Sequence, residues 1–355
     1  MQDQRLAMSW VRDHISSFGG DGKNIMIFGE SAGGNSVINH LAQPASFPLY
    51  TKAIVESGAY NNGATPLSDD KYNKLLNSMG CKSLACLKNT SAKAIMTVEN
   101  LPAGWGPVVD GVSLTDTPAN LIGSGQFNSK VPVMIGSNRD ETAFFELVVD
   151  KPFPDLTENM TELEFDVAVE ALLPGHLRKV KEVYQPRAQG GSYDYPAQLG
   201  NKSIWWWESV RLTTDTVPGL GSCGSRWMAR MLEAHSPSVH VYLFSHPSQV
   251  VNNRVPGTGP GAVTVPHASE IVFAWSRLDR VLPGDEADLA VAMGAYWWNF
   301  AISGDPNHEG AATWPQYSAA ADTILRFRTK AEGGIGTLSK FRERACDCQT
   351  AKWTC

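Results

Sequence analysis

The sequence lacks the features that would place it in several broad classes of protein. No apolar stretch approaches the roughly 20 residues that a membrane-spanning helix needs. Its 30 lysines and arginines are outnumbered by 36 aspartates and glutamates, and they form no cluster that could hold a nucleic-acid backbone. The N-terminal stretch MQDQRLAMSW has no basic segment followed by an apolar core, so it does not resemble a signal peptide. These absences argue against a membrane span and against a nucleic-acid partner.

Charge runs, low-complexity linkers and internal repeats are also missing, so nothing in the sequence divides the chain. With 355 residues and 43% hydrophobic composition, the chain can bury one large core or two smaller ones. We expect a single domain over residues 1–355.

Hydrophobic patterning predicts alternating strands and helices. Short apolar runs at 25–28, 53–55, 131–136 and 239–244 are typical of buried strands. Helical spacing is found at 4–15, 36–43, 71–79, 92–98, 161–185, 225–234 and 285–302, the last of which we take as the final helix. Residues 190–201 and 247–266 read as loops. Successive strand–helix–strand units favour a parallel sheet with helices on both faces, an α/β fold.

The stretch NIMIFGESAGGN, residues 24–35, carries the clearest motif. A predicted strand runs into Gly29-Glu30-Ser31-Ala32-Gly33, and a predicted helix follows. This Gly-x-Ser-x-Gly pattern between strand and helix predicts a nucleophile elbow, which holds the hydroxyl of Ser31 out at the carboxyl end of the strand. Glycines on both sides of the serine are expected because strand and helix approach too closely for a Cβ on either side.

A serine hydroxyl becomes a useful nucleophile only when an imidazole can take its proton and a carboxylate orients that imidazole. In α/β-hydrolases the three residues occur in the order serine, acid, histidine. Asp140 and Glu141 both follow the predicted strand 131–136. His246 comes directly after the strand 239–244, and His267 follows the next loop. Chain order alone leaves both choices open.

Several separate segments resemble, in the same order, the type-B carboxylesterase and cholinesterase family. They are DQRLAMSWVRDHISSFGGDGKNIMIFGESAGG at 3–34, KAIVESGA at 52–59, GPVVDG at 106–111, PANLIGSGQFNSKVPVMIGSNRDETAFF at 118–145, VPHASEIVFAW at 265–275 and YWWNFAISGDPN at 296–307. The resemblance is weakest at 151–213. It implies an α/β-hydrolase fold, with a mostly parallel central sheet flanked by helices but without the N-terminal strands of the family. The chain would then be the C-terminal portion of the full family domain.

The resemblance also implies roles for individual residues. Ser31 is the expected nucleophile, Glu141 rather than Asp140 the acid, and His267 rather than His246 the base. The amide of Ala32 would be one oxyanion donor. Of three further residues, the family places Glu30 next to the nucleophile, Glu270 as its partner carboxylate near the histidine, and Ser57 as a support for this pair, which could share a proton. The family needs no metal or other cofactor, and its substrate is a small-molecule carboxylic ester.

The remaining oxyanion donors of the family come from a glycine-rich loop, typically beginning His-Gly-Gly, upstream of the elbow, and this sequence contains no such loop there. We therefore expect a complete triad on an incomplete scaffold, with the strand 25–28 as an exposed edge that could mediate self-association. The alternatives are a catalytically inactive cholinesterase-like adhesion or scaffold domain, and a truncated fragment without an oxyanion hole. The choice of ester is not predicted, because Phe144, Phe145 and Trp275 could line a pocket or belong to the core.

Six cysteines and three glycosylation sequons, at Asn89, Asn159 and Asn201, favour a secreted or extracellular location. The cysteines allow 15 pairings, which sequence alone does not distinguish. The resemblance implies Cys81 with Cys86, and Cys223 with one of the tail cysteines at 346, 348 and 355. A metal site at Cys346-x-Cys348 is an alternative.

Overall fold

The computed structural model describes residues 1–59, 64–66, 69–98, 106–148, 159–184, 202–216, 219–252, 263–275, 282–353 and 355. Its strands are β1 (Met26–Glu30), β2 (Lys52–Glu56), β3 (Thr65–Pro66), β4 (Val108–Val109), β5 (Val133–Asn138), β6 (Val239–Phe244), β7 (Thr323–Phe327) and β8 (Gly336–Ser339). Six of them form the main sheet in the order β1-β2-β5-β6-β7-β8, parallel except for β8. Strands β3 and β4 pair separately.

Helices in the described residues pack on both faces of this sheet, and further helices form a separate cluster. The described helices are α1 (Gln2–His14), α2 (Ala32–Leu41), α3 (Asp69–Ser78), α4 (Leu84–Lys88), α5 (Ala92–Met96), α6 (Pro118–Gly123), α7 (Ala143–Val148), α8 (Glu162–Leu172), α9 (Leu177–Val183), α10 (Ile204–Thr216), α11 (Ser222–Glu233), α12 (Gln249–Asn252), α13 (Ile271–Ala274), α14 (Asp285–Ser303) and α15 (Glu343–Thr350).

The sheet divides the core into two layers because successive side chains of a strand point to opposite faces. On one face, Val55 and alternate residues of the neighbouring strands pack against α2 and α11. On the other face, Ile54 and its counterparts pack against α13 and α14. A third cluster joins α8, α9, α10 and α15. The predicted α/β-hydrolase architecture, a mostly parallel sheet flanked by helices, is confirmed.

The structure corrects several predicted elements. The helix 285–302 is not the last, because β7, β8 and α15 follow it. The predicted helix 161–185 is two helices, α8 and α9. Helix α1 forms as predicted, but no residue of it is buried, and Leu6 is 72% exposed. The predicted loop at 190–201 and part of the loop at 247–266 lie outside the described residues.

Three disulfides cross-link the chain, and together they include all six cysteines. Cys81 pairs with Cys86, and Cys223 pairs with Cys346, in agreement with the implied pairings. Cys348 pairs with Cys355. Because both cysteines of the Cys346-x-Cys348 pair are oxidised, the alternative of a metal site there is wrong. Closing the 123-residue separation of the second bridge restricts the unfolded chain most.

Two of the three sequon asparagines, Asn89 and Asn159, are described, and both are exposed. Within the described ranges, no helix combines the length and the apolar character that crossing a membrane requires.

Candidate active site

The turn between β1 and α2 presents Ser31. Its backbone has φ +57° and ψ −117°, a conformation that a non-glycine residue adopts only under constraint. The Ser31 N–H donates to the Glu56 carbonyl at 2.9 Å, and the Ser31 carbonyl accepts from the Asn35 N–H at 2.9 Å. Ser31 is therefore held from both sides, at the carboxyl end of the sheet and the N-terminus of α2.

The glycines of the elbow follow a different pattern from the predicted one. A Cβ on Gly29 would lie 2.4 Å from the Gly33 carbonyl carbon, so strand and helix do approach too closely for a side chain at Gly29. A Cβ on Gly33, however, would meet open space. The crowded position on the helix is Gly34, where a Cβ would lie 2.8 Å from the Glu56 carbonyl oxygen. The prediction was wrong for Gly33, because the helix passes closest to β2 one residue later.

Glu141 is fully buried just beyond β5, where its carboxylate accepts three hydrogen bonds. Its Oε1 accepts from the backbone N–H of Asn138 at 2.5 Å and from the hydroxyl of Ser57 at 2.6 Å. Its Oε2 lies 2.6 Å from Nδ1 of His267. The neighbouring Asp140 points elsewhere, with its carboxylate on Arg139 and on the Val265 N–H.

His267 follows an irregular buried segment and meets carboxylates on both sides of its ring. Nδ1 faces Glu141, whereas Nε2 lies 3.1 Å from Oε1 of Glu30. The Nε2 contact is not aligned as a hydrogen bond, and both atoms are without a hydrogen-bond partner among the described residues. The described part of the chain also contains no hydrogen bond between His267 and Ser31. The structure thus brings Glu141 and His267 together, and it places the ring of His267 beside Glu30, the residue that precedes Ser31.

The other histidine considered, His246, is occupied elsewhere. Its Nδ1 lies 2.6 Å from Glu332 and its Nε2 lies 2.9 Å from Glu286, at the N-terminus of α14. Neither ring nitrogen contacts the elbow.

A buried polar network surrounds Glu141. Ser57, whose φ is +48°, has its hydroxyl 3.3 Å from Oε1 of Glu270 as well as 2.6 Å from Glu141. Asn138 donates from Nδ2 to Oε2 of Glu270 at 2.5 Å, and the Tyr242 hydroxyl approaches Oε1 of Glu270 at 3.3 Å. The carboxyl ends of β2, β5 and β6 therefore supply the groups that hold Glu141 and Glu270 in place.

Glu56 is a fourth carboxyl group in this region. It ends β2, pairs in register with Glu30 on β1, and is 1% exposed. The indole N–H of Trp297 on α14 donates to its Oε1 at 2.8 Å.

The crowding of carboxyl groups shifts their ionisation. Burial raises the pKa of Glu30 to about 8 and that of Glu56 to about 8. Burial, followed by the charge of Glu141, raises the pKa of Glu270 to about 7. Near neutral pH these three groups can therefore hold protons, which limits the negative charge around the imidazole.

The pKa of His267 is also raised, but for a different reason. Burial lowers it, but the charge and hydrogen bond of Glu141 outweigh burial, and the charge of Glu30 adds to the increase. The resulting pKa of His267 is about 9. The imidazolium is accordingly the favoured form at neutral pH.

The sequence analysis missed four groups of this site: Glu56, Asn138, Tyr242 and Trp297. Glu56 and Asn138 end strands that were predicted, so their position at the carboxyl edge of a parallel sheet was the available signal. Tyr242 and Trp297 had no signal beyond their apolar surroundings.

Aromatic side chains border the histidine and the edge strand. The rings of Phe144 and Phe145 lie 6.3 Å and 5.2 Å from the ring of His267, and both are half-buried. Trp275, which is 36% exposed, stacks on Phe28 at 4.0 Å. Phe144 and Phe145 are therefore positioned to contact a group bound at His267.

Ala32 is the first residue of α2, so its N–H has no acceptor within the helix and is available beside Ser31. Among the residues that the structure describes, no group of three or more His, Cys, Asp or Glu side chains is arranged to hold a metal ion.

A mostly parallel sheet with helices on both faces, and a constrained serine at a sharp strand-to-helix turn, define the α/β-hydrolase class. Within that class the chain belongs to the carboxylesterase family, whose family model matches residues 1–349. The resemblance of the motifs to this family is thereby confirmed.

Individual relatives agree with this assignment. The cholinesterase of Mus musculus is 31% identical over 354 residues, covering 92% of this chain and 56% of the mouse protein. The acetylcholinesterase of Danio rerio is 29% identical over 369 residues, covering 90% of this chain and 57% of the fish protein. The solved structure of a PNB esterase matches with a TM-score of 0.72 and 25% identity, over 97% of this chain and 67% of that one. The chain spans about half the length of the curated relatives it matches.

Proposed function

We propose that the chain is a serine carboxylic-ester hydrolase in which Ser31, Glu141 and His267 form the catalytic triad. The observation that carries the proposal is the 2.6 Å contact between the buried Glu141 carboxylate and Nδ1 of His267, which leaves Nε2 without a hydrogen-bond partner among the described residues. An imidazole held by a carboxylate at one nitrogen is arranged to accept a proton at the other.

In the proposed reaction, neutral His267 takes the proton of the Ser31 hydroxyl as the oxygen attacks the ester carbonyl. The protonated ring then donates that proton to the leaving alcohol, which leaves an acyl group on Ser31. Water, deprotonated by the same ring, releases the acid. For this step, Nε2 of His267 must move from the carboxylate of Glu30 to the hydroxyl of Ser31, the next residue in the chain.

The oxygen that becomes negative in this step would receive a hydrogen bond from the Ala32 N–H. The N-terminus of α2 adds a favourable dipole at the same place. Each donor of an oxyanion hole contributes about 10²–10³ in rate, so the number of donors present determines how fast the chain turns over.

Hydrolysis of a p-nitrophenyl ester and covalent labelling by a fluorophosphonate, each measured on the wild-type chain and on Ser31→Ala, test this proposal. We expect both signals in the wild type and neither in the variant. Ser36→Ala is the matched control, because Ser36 lies on α2, the helix that begins directly after Ser31, and its hydroxyl donates to the Ala32 carbonyl. Equal turnover in wild type and Ser31→Ala would contradict the proposal.

The two alternatives give different results in the same experiment. A fragment without enough oxyanion donors would be labelled at Ser31 but would show little turnover. A non-catalytic adhesion or scaffold domain would show neither. The exposed apolar residues Leu6, Trp10 and Phe18 are the feature that favours a binding surface.

We further propose that the protein is a secreted glycoprotein. Three disulfides and the exposed sequon residues Asn89 and Asn159 support this location. A mass decrease on treatment of the naturally expressed protein with an N-glycosidase tests it. Absence of any glycan at both asparagines would contradict it.

Self-association through the sheet edge is the third part of the proposal. Strand β1 has β2 on one side, and no strand of the described residues pairs with its other side. Phe28 on this strand is 48% exposed, so a second chain could add both hydrogen bonds and apolar contact.

A further inference from the structure

The segment that carries His267 cannot hold itself in place. Residues 263–267 form neither helix nor strand, yet Val265 is fully buried and His267 is 6% exposed. Buried backbone N–H and carbonyl groups need hydrogen-bond partners. The Pro266 carbonyl accepts locally from the Ser269 N–H at 3.1 Å, and the other partners come from other elements.

Arg139 and Asp140, directly after β5, provide three of them, and Nδ2 of Asn252 on α12 donates to the Thr264 carbonyl at 3.2 Å. Nη2 of Arg139 donates to the Val263 carbonyl at 2.6 Å. Oδ2 of Asp140 accepts from the Val265 N–H at 2.9 Å, and the Asp140 N–H donates to the Val265 carbonyl at 3.0 Å. The next hydrogen bond along the segment links the two candidate site residues, because the His267 N–H donates to the Glu141 carbonyl at 3.2 Å.

The two charged side chains also fix each other. Nη2 of Arg139 lies 2.7 Å from Oδ2 of Asp140, and Nε lies 3.0 Å from the same oxygen. Asp140 is fully buried and Arg139 is 6% exposed, so neither faces solvent or substrate. A buried, mutually satisfied pair of this kind specifies one arrangement of the groups that it touches.

Arg342, in the C-terminal segment, also contacts this pair. Nη2 of Arg342, just before α15, donates to the Arg139 carbonyl at 3.0 Å, and its Nη1 lies 2.7 Å from Asp215 on α10. The Cys223–Cys346 bridge ties α15 to α11. The end of β5 is thus held by the C-terminal segment as well as by the sheet.

We propose that Arg139 and Asp140 are positioning residues that clamp the segment bearing His267 against the segment bearing Glu141, and so set the contact between imidazole and carboxylate. This inference rests on the proposed ester hydrolysis for its kinetic consequence. The clamp acts on geometry alone and touches neither the substrate nor Ser31.

The test compares Asp140→Asn with wild type in two measurements on the disulfide-bonded chain. The first is kcat and KM for a p-nitrophenyl ester, and the second is the low-field proton resonance of the His267 Nδ1–H hydrogen-bonded to Glu141. Asparagine keeps the size of the side chain but removes the charge that holds Arg139. We expect kcat to fall about 10²-fold, as for a misplacement of about 1 Å, with KM nearly unchanged, and the low-field resonance to shift or disappear.

Asp322→Asn is the matched control. Asp322 forms an equally buried pair with Arg226, which also donates to the Phe341 carbonyl, but this pair contacts neither segment of the site. The control should lower the unfolding temperature comparably while it leaves kcat and the resonance unchanged. If Asp140→Asn does not fold, Arg139→Lys replaces it, because an ammonium lacks the planar guanidinium fork and loses the second contact with Asp140, which Nε of Arg139 makes at 3.0 Å. We then expect the same changes to a smaller extent.

The two proposals fail separately. A wild-type chain without turnover contradicts ester hydrolysis, and the resonance alone then decides the clamp. Asp140→Asn with unchanged kcat and resonance overturns the clamp, and so does Asp322→Asn if it alters both to the same extent. A wild-type protein that shows no low-field resonance also overturns it.

Discussion

The two sides of Ser31 differ in almost every physical respect. On the inner side, the ends of β2, β5 and β6 place fully buried polar groups against one another, with Ser57, Asn138 and Glu141 joined by hydrogen bonds. On the outer side, β1 is the edge of the sheet, and Trp10 on the neighbouring helix α1 is 52% exposed. The inner side sets the protonation and the orientation of His267. The outer side contributes the serine and a surface that the described residues leave open.

Substitutions should matter more on the inner side than on the outer side. Buried polar groups depend on their partners, so the loss of one partner leaves the others unsatisfied. Exposed apolar residues have few contacts to lose, and their substitution changes stability little.

Glu141→Gln should give the largest effect. An amide at this position cannot stabilise the imidazolium that forms during the reaction, so we expect kcat for a p-nitrophenyl ester to fall about 10⁴-fold. Glu309→Gln, at an exposed carboxylate, is the control and should leave kcat unchanged. A loss smaller than about tenfold would mean that Glu141 is not the orienting acid.

Glu56→Gln should change stability in a pH-dependent manner. Burial raises the pKa of Glu56 to about 8, so the folded state prefers the protonated group, and its contribution, complete below pH 4.5, is lost as the pH rises toward 8. Glutamine keeps an acceptor for Trp297 and never ionises. We expect the variant to exceed wild type by about 5 kcal/mol in free energy of unfolding at pH 9, and to match it near pH 4.5. Urea unfolding at the two pH values measures this, and an equal difference at both would contradict it.

Glu30→Gln should move the pH dependence of catalysis. His267 must be neutral to act as the base, and the Glu30 charge helps to raise the pKa of His267 to about 9. Removing that charge lowers the pKa, so the rise of kcat/KM with pH should shift by about one unit toward acid. Glu332→Gln removes a carboxylate from His246 instead and should leave the profile in place. A shift toward alkaline pH in Glu30→Gln would show that the charge of Glu30 does not act on the base.

Local patterns were sufficient to predict the elbow and the strands that flank it. The apolar runs of β2, β5 and β6 are typical of strands buried on both faces, and these three strands are buried at every residue. The glycines before and after Ser31 mark the turn. The family motifs predicted Glu141 and His267 as the acid and the base. Oε2 of Glu141 lies 2.6 Å from Nδ1 of His267, and the catalytic roles of both residues are part of the proposal.

Other parts could not be predicted because they depend on distant partners. Strand β8, GTLS, has no apolar run and is defined by its antiparallel pairing with β7. Glu56 resembles any charged residue at the end of a strand until the fold brings Trp297 to it from 241 positions away. Gly33 and Gly34 are neighbours in sequence, and only the path of α2 over β2 decides which of them is crowded.

The smallest effect on stability is expected on the outer side, from Leu6→Glu and Trp10→Glu on α1. Because helix α1 buries no residue, each change should alter the free energy of unfolding by no more than about 0.5 kcal/mol. Trp207→Ala, which empties a fully buried position on α10, should by contrast cost about 3–5 kcal/mol. Sedimentation velocity separates stability from association: if the outer side mediates contact between chains, the added charges should shift the population toward monomer while urea unfolding stays the same. An unchanged distribution of species would assign self-association to another surface or exclude it, and a large loss of stability would show that the two sides of Ser31 are less different than their exposure indicates.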